Sequence, residues 1–223
     1  MKGENFFDRL LQMPLFQGIG RNDFWEIAER IRIGFHRKSA GTPLVKCNDA
    51  CDALHFVMKG RLRVESVSED YSYSLQEWVD APLVIQPECM FGPTTRYTRT
   101  FVADEEVHYF LISKGDVRDM LFNYPTFRIN WLNLLTRQVQ MQNHRLWRKR
   151  PEELDKRFLQ FLLFRTMRPA GKKVLHIKME QLAEEMLTTR LNVSQMLRQL
   201  QEQGHLSYSR GKIEIPQFEK LIM

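Results

Sequence analysis

The hydrophobic period of this chain changes at Tyr124-Pro125. Upstream of that point apolar residues recur at every second position. Ile31-Arg32-Ile33-Gly34-Phe35-His36-Arg37, Leu62-Arg63-Val64-Glu65-Ser66-Val67 and Tyr71-Ser72-Tyr73-Ser74-Leu75 all alternate, which places one set of side chains on each face of a strand. Leu54-His55-Phe56-Val57-Met58 is a further strand-like run, and the Lys59-Gly60 pair after it reads as a hairpin turn. Val107–Ile112 closes the series. Short strands separated by regular turns predict an antiparallel sandwich or roll. Residues 5–30 precede it as short helices, built on Phe7, Leu10 and Leu11 and then on Phe24, Ile27, Ala28 and Ile31 after an Asn22-Asp23 start.

Downstream the period is helical. Residues 126–147 contain no Gly or Pro, and Leu132, Leu135, Val139 and Leu146 fall on three-and-four spacing with Gln142 in the intervening seam position. Such a seam predicts two helices packed along their length, one from each copy of the chain; the other reading is one amphipathic helix lying on its own domain. Lys149-Arg150-Pro151-Glu152-Glu153 breaks this helix and marks a hinge, with Pro in the first turn of a new helix over 152–167. A turn at Pro169-Ala170-Gly171 and a strand at Val174–Ile177 follow.

The next segment carries the functional signal. Residues 179–186 form a short helix with Leu182 and Met186 as its apolar stripe and Ala183 small enough for a close crossing. Leu187-Thr188 turns the chain, Thr188 or Thr189 caps a second helix, and Gly204 stops it. At 100° per residue, Val193, Met196, Leu197 and Leu200 gather on one side of that second helix. Arg190, Leu191, Ser194, Gln195 and Arg198 occupy another. Packed through the first set, the helix offers the second set to a major groove. Arg190 lies in the first turn, where its fork can bond both acceptors of guanine, while Thr189 and Arg198 suit phosphate. The alternating run Leu206–Ile215 then folds back around Arg210-Gly211-Lys212, a basic wing tip placed to lie along phosphates.

Charge agrees. Residues 1–144 hold 17 Lys and Arg against 18 Asp and Glu, a balance of −1, whereas residues 145–223 hold 16 against 9, a balance of +7. The excess that favours a polyanion therefore sits with the helix pair and hairpin. No phosphate-cradling glycine loop, nucleophile elbow or metal motif supports an enzyme. Cys47, Cys51 and Cys89 are an odd set, read as isolated thiols in strands with a metal or redox role as the weaker alternative. His36, His55, His108 and His144 have no diagnostic ligand spacing. Met1–Asn5 lacks the plan of a secretory leader and no apolar run spans a bilayer; a cytoplasmic protein without membrane contact is expected.

Taken in order, these segments resemble the cyclic-AMP receptor protein/FNR family of bacterial regulators over nearly the whole chain, most closely in Ile177–Leu206. The resemblance implies an α+β fold: a cyclic-nucleotide-binding-like β-roll sensor over residues 1–124, a long dimerisation helix over 125–148 and a winged helix-turn-helix over 149–223. It implies a homodimer on an inverted-repeat operator in double-stranded DNA, with half-sites ~34 Å apart, and RNA polymerase as a partner. The alternative is a sensing module that regulates a protein partner. Arg190 falls on the family's recognition arginine, but Leu191 and Gln195 replace its usual Glu and Arg. In the sensor, Phe91-Gly92 is followed by Pro93 instead of the ribose-gripping Glu, and Tyr97-Thr98 stands where an Arg-Ser/Thr pair holds phosphate. Arg96 and Arg99 flank that pair, and Gln142 and Asn143 occupy the place of hydroxyl residues on the long helix. An effector pocket is thus expected around Phe91, Gly92, Arg96, Tyr97, Thr98, Arg99, Gln142 and Asn143, with cyclic AMP not bound in the usual mode and the effector unknown.

Overall fold

The structure, a computed structural model, describes residues 6–31 and 33–222. Met1–Asn5, Arg32 in the first alternating run, the Phe7 side chain and Met223 lie outside the described residues. The chain divides into two compact units: residues through Leu62 together with Asp80–Leu146, and Arg63–Val79 together with Trp147–Met223.

The first unit begins with helices α1 (Phe6–Leu11) and α2 (Arg21–Arg30), with a 3₁₀ turn at Pro14–Phe16 between them. Strands follow: β1 (Gly34–Lys38), β2 (Pro43–Val45), β3 (Ala53–Lys59), the start of β4 (Arg61–Val67), the last residue of β5 (Ser74–Asp80), β6 (Leu83–Val84), β7 (Thr100–Ala103) and β8 (Val107–Ser113). One sheet has the order β1-β8-β3-β6, all antiparallel. Its register sets Phe56 opposite Phe110, whose rings stack at 4.6 Å, and Phe16 packs on Phe56 at 5.3 Å. β2 pairs with β7. The turn expected at Lys59-Gly60 requires its glycine: φ is +100°, and a Cβ would stand 2.7 Å from the Glu106 carbonyl oxygen.

Helix α3 (Lys114–Asn123), which the sequence periodicity does not predict, is started by Ser113, whose hydroxyl accepts the Asp116 N–H. Helix α4 (Pro125–Leu146) is the long helix expected from the sequence, displaced by one residue. It buries Phe127 and Trp131. Three of its seam positions are exposed, Leu132 at 51%, Val139 at 55% and Leu146 at 79%, while Leu135 is half-buried.

The second unit holds α5 (Leu154–Arg165), β9 (Lys173–His176), α6 (Met179–Glu185), α7 (Arg190–Glu202), β10 (Ser207–Ser209) and β11 (Lys212–Ile215). Helix α5 starts later than expected. Glu153 is its N-cap and Pro151 lies before it, because the Arg157 guanidinium donates to the Pro151 and Glu152 carbonyls and holds that stretch as a loop.

The sheet strands of this unit run β10-β11-β9-β5-β4, the last through its residues 63–67. Residues 63–79, counted with the sensor in the sequence reading, thus supply a strand beside β9, with Ser74 opposite His176 and Glu77 opposite Lys173. Leu75 joins the core of Phe158, Leu162, Leu175, Leu182, Val193 and Leu197. The strand expected at Tyr71–Leu75 begins only at Ser74, since Tyr71 takes a left-handed φ of 58° in the preceding turn.

Candidate nucleic-acid interface

Helix α6 ends and α7 begins through a turn that backbone hydrogen bonds define. The Leu187 N–H donates to the Glu184 carbonyl at 3.0 Å and the Thr188 N–H to the Ala183 carbonyl at 2.9 Å. This is the Schellman pattern, and its left-handed position, usually glycine, is Leu187 at φ 46°. Thr189 is the N-cap of α7, its hydroxyl oxygen accepting the Asn192 N–H at 3.3 Å. Gly204 closes α7 by the same pattern, with bonds from Gly204 N to Gln201 O and from His205 N to Leu200 O at 2.9 Å each.

Val193, Met196, Leu197 and Leu200 are all buried, the four positions that the wheel placed inward. Each contributes roughly 1.5–3 kcal/mol by leaving water, which fixes the rotation of α7. Leu191 is 67% exposed, and Arg190, Gln195 and Arg198 are exposed beside it, with Ser194 partly buried. Gln195 also borders a polar groove of about 520 Å³ with Asn192, Gln199, Asp155 and Arg157. Arg190 is held: its Nη1 lies 3.1 Å from Glu180 Oε1 on α6. Glu180 was not singled out in the sequence, where an acid in the first turn of a helix reads as a dipole partner.

In the hairpin, Gly211 takes φ +76° and its carbonyl accepts the Ile177 N–H. Arg210 is exposed at the tip. Lys212 begins β11 and is paired, its Nζ 3.2 Å from Glu214 Oε2, while Lys172 takes the other oxygen at 3.3 Å. The Lys212 and Lys172 ammonium groups hold the Glu214 carboxyl below its ordinary range.

The expected effector residues take different settings in the structure. Phe91 borders an apolar groove of about 480 Å³ with Leu121, Phe122, Trp131 and Leu132, its ring 5.8 Å from that of Trp131. Gly92 is open to solvent with φ +107°. Arg96 is exposed and donates to the Asn48 carbonyl at 2.6 Å. Tyr97 is a core residue, 2% exposed: its hydroxyl donates to the Ala53 carbonyl at 2.8 Å and lies 3.2 Å from His55 Nδ1.

Gln86, absent from the sequence reading, organises the neighbours of Tyr97. Its side-chain oxygen accepts the Thr98 and Arg99 N–H groups at 3.1 and 3.2 Å, and its amide donates to the Thr98 hydroxyl. Gln138 of α4 donates to Glu88 at 3.2 Å. Burial, then the Arg99 charge, lowers the pKa of the Arg145 guanidinium. Gln142 and Asn143 are exposed on α4. Gln86 takes a left-handed φ of 37°, and nothing in its sequence context signals that geometry.

Of the histidines, His55 stacks on Tyr109, which stacks on His36, and His108 pairs with Glu106 at 2.9 Å. Among the described residues no group of three or more His, Cys, Asp or Glu is placed to hold a metal ion. No helix among them is long and apolar enough to cross a membrane.

Residues 156–223 match the family of Crp-like helix-turn-helix domains. Among curated proteins none matches the chain. Among solved structures it is similar to the catabolite activator protein of Thermus thermophilus, at 18% identity over 94% of this chain and 97% of that one, TM-score 0.51. It is also similar to a putative transcriptional regulator of the Crp/Fnr family from Eubacterium rectale, at 21% identity over 94% and 96%, TM-score 0.51. The c-di-GMP-responsive global regulator CLP of Xanthomonas campestris shares 12% identity over 87% and 99%, TM-score 0.52. At these identities the likeness is one of fold: a sheet-rich, cyclic-nucleotide-binding-like domain followed by a helix-turn-helix.

Proposed function

We propose that this chain, a transcriptional regulator of the Crp/Fnr type, works as a cytoplasmic homodimer that reads an inverted repeat in double-stranded DNA and acts with RNA polymerase. The observation that carries the reading is the division of α7: Val193, Met196, Leu197 and Leu200 are buried, and Arg190, Leu191, Gln195 and Arg198 are left exposed on the other side. In this reading Arg190 bonds guanine, Gln195 and Leu191 meet neighbouring base edges, and Thr189, Ser194, Arg198, Arg210 and Lys212 position the backbone. The uncovered seam of α4 supports the dimer. Selection from a random duplex library tests the proposal, with an inverted repeat as the expected product. Arg190→Ala is expected to cost about 1–3 kcal/mol and to relax one guanine per half-site. An unchanged selected motif would overturn the placement of the reading face.

The sensor answers an effector other than cyclic AMP held in the usual mode. Pro93 supplies no carboxylate for a ribose, and the Tyr97 phenol is committed to Ala53 inside the core. Calorimetric titration with cyclic AMP is expected to give no micromolar binding; such binding, with tighter DNA affinity, would overturn this part of the reading.

A further inference from the structure

An acid stands where a DNA-reading arginine must let go. Glu180 and Arg190 are paired at 3.1 Å, yet their side chains are 62% and 70% exposed, so both open to the solvent that duplex DNA would displace. A pair this exposed adds little to folding, because water screens it and two long side chains lose freedom to form it. Next to DNA its effect is different. Phosphates repel the carboxylate and attract the guanidinium, and a neutral pair takes part in neither interaction. A phosphate offers Arg190 only what Glu180 already supplies: an anion to accept its N–H groups. Guanine offers a planar pair of acceptors that the carboxylate does not replace once DNA closes over the helix.

We propose that Glu180 is a specificity-determining residue of this interface, keeping Arg190 off the phosphates of random sequence and releasing it to its base. The role rests on the DNA-binding reading of α7. It predicts that Arg190 is silent in non-specific binding while Glu180 is present. The salt dependence of affinity counts the phosphates neutralised, at about 0.9 per contact in log–log slope.

The test is the salt dependence of binding to a random duplex, measured for the wild type, Glu180→Gln, Arg190→Ala and the double variant. Glu180→Gln is expected to tighten random-duplex binding by roughly three- to tenfold and to steepen its slope by about 0.9. Arg190→Ala is expected to leave the slope nearly unchanged in the wild-type background, where the freed Glu180 carboxylate weakens binding without removing a phosphate contact, and to lower it by about 0.9 beside Glu180→Gln. A role confined to starting α6 would alter the melting temperature of Glu180→Gln without these slope changes, and that result would overturn the proposal. Equal loss of slope in both backgrounds would overturn it as well. Absence of duplex binding by all four proteins would overturn the DNA-binding reading, and this role with it.

Discussion

Glu77 and Lys173 form an ion pair at 3.1 Å with side chains 1% and 0% exposed. Two strands distant in sequence, β5 and β9, meet there in register. Further hydrogen bonds anchor the pair: Lys173 also donates to the Ala170 carbonyl at 2.8 Å, and Glu77 accepts the N–H groups of Met167 and Arg168 at 2.8 and 3.3 Å. Burial lowers the Lys173 pKa, and the Glu77 carboxylate opposes that shift. Removing one partner leaves an uncompensated buried charge. Lys173→Met is therefore expected to cost about 3–5 kcal/mol, whereas Glu77→Leu with Lys173→Met should recover most of that loss. Urea unfolding of the three proteins checks the prediction, and equal destabilisation by the single and double variants would refute it.

Leu187 is strained. A left-handed conformation costs a branched residue roughly 1–2 kcal/mol, and its side chain, 73% exposed, recovers little by packing. Glycine removes the strain but frees the unfolded chain by about 0.5–1 kcal/mol. Leu187→Gly should thus raise the midpoint of thermal unfolding by a few degrees. Calorimetry checks the sign; a fall would show that Leu187 packs better than its exposure indicates.

His55 links stability to pH. Burial pushes its pKa from the ordinary 6.5 down to about 4, so between these values the unfolded chain binds the proton and the folded chain does not. Stability is then highest above pH 6.5 and declines as pH falls toward 4, with His55 accounting for on the order of 2 kcal/mol after solvent screening. A histidine proton resonance titrating near pH 4 would identify the group. His55→Phe should flatten this part of the stability profile.

The α4 seam predicts the oligomeric state. With Leu132, Val139 and Leu146 exposed and Leu135 half-buried, closing the seam against a second copy removes roughly 1.5–3 kcal/mol of unfavourable exposure per fully covered residue. Leu135→Asp with Val139→Asp should convert the dimer to monomers in sedimentation. A double variant that stays dimeric would move the interface elsewhere.

The three thiols should differ in reactivity. Cys47 is exposed, and Cys51 and Cys89 are buried. Burial raises both buried thiols, Cys89 to about 11, which keeps them protonated near neutral pH. A thiol reagent is expected to label one cysteine in the native protein and three in urea, with Cys47→Ser abolishing the native signal.

Local pattern alone was enough for the elements whose signal lies within a few residues. The absence of Gly and Pro marked α4 to within one residue, and the 3.6-residue period set the buried face of α7. Gly204 marked the end of α7, and the charge shift after residue 144 pointed to the segment that matches the Crp-like helix-turn-helix family. Each follows from the neighbours of a residue along the chain, so spacing is a sufficient guide.

Tertiary structure decided what depends on distant partners. Alternation marked residues 62–67 and 71–75 as strands, but only the pairing of Glu77 with Lys173, 96 residues apart, places this ribbon with the second unit. Tyr97 was expected at an effector position through the family resemblance, and only the Ala53 carbonyl and the His55 ring reveal that its hydroxyl is satisfied in the core. Arg190 stood out in the sequence for its place in the first turn of α7, whereas Glu180, ten positions earlier, became its partner only when α6 crossed α7. A buried polar group must find a hydrogen-bond partner wherever the fold supplies one, and the linear order of residues does not encode that choice.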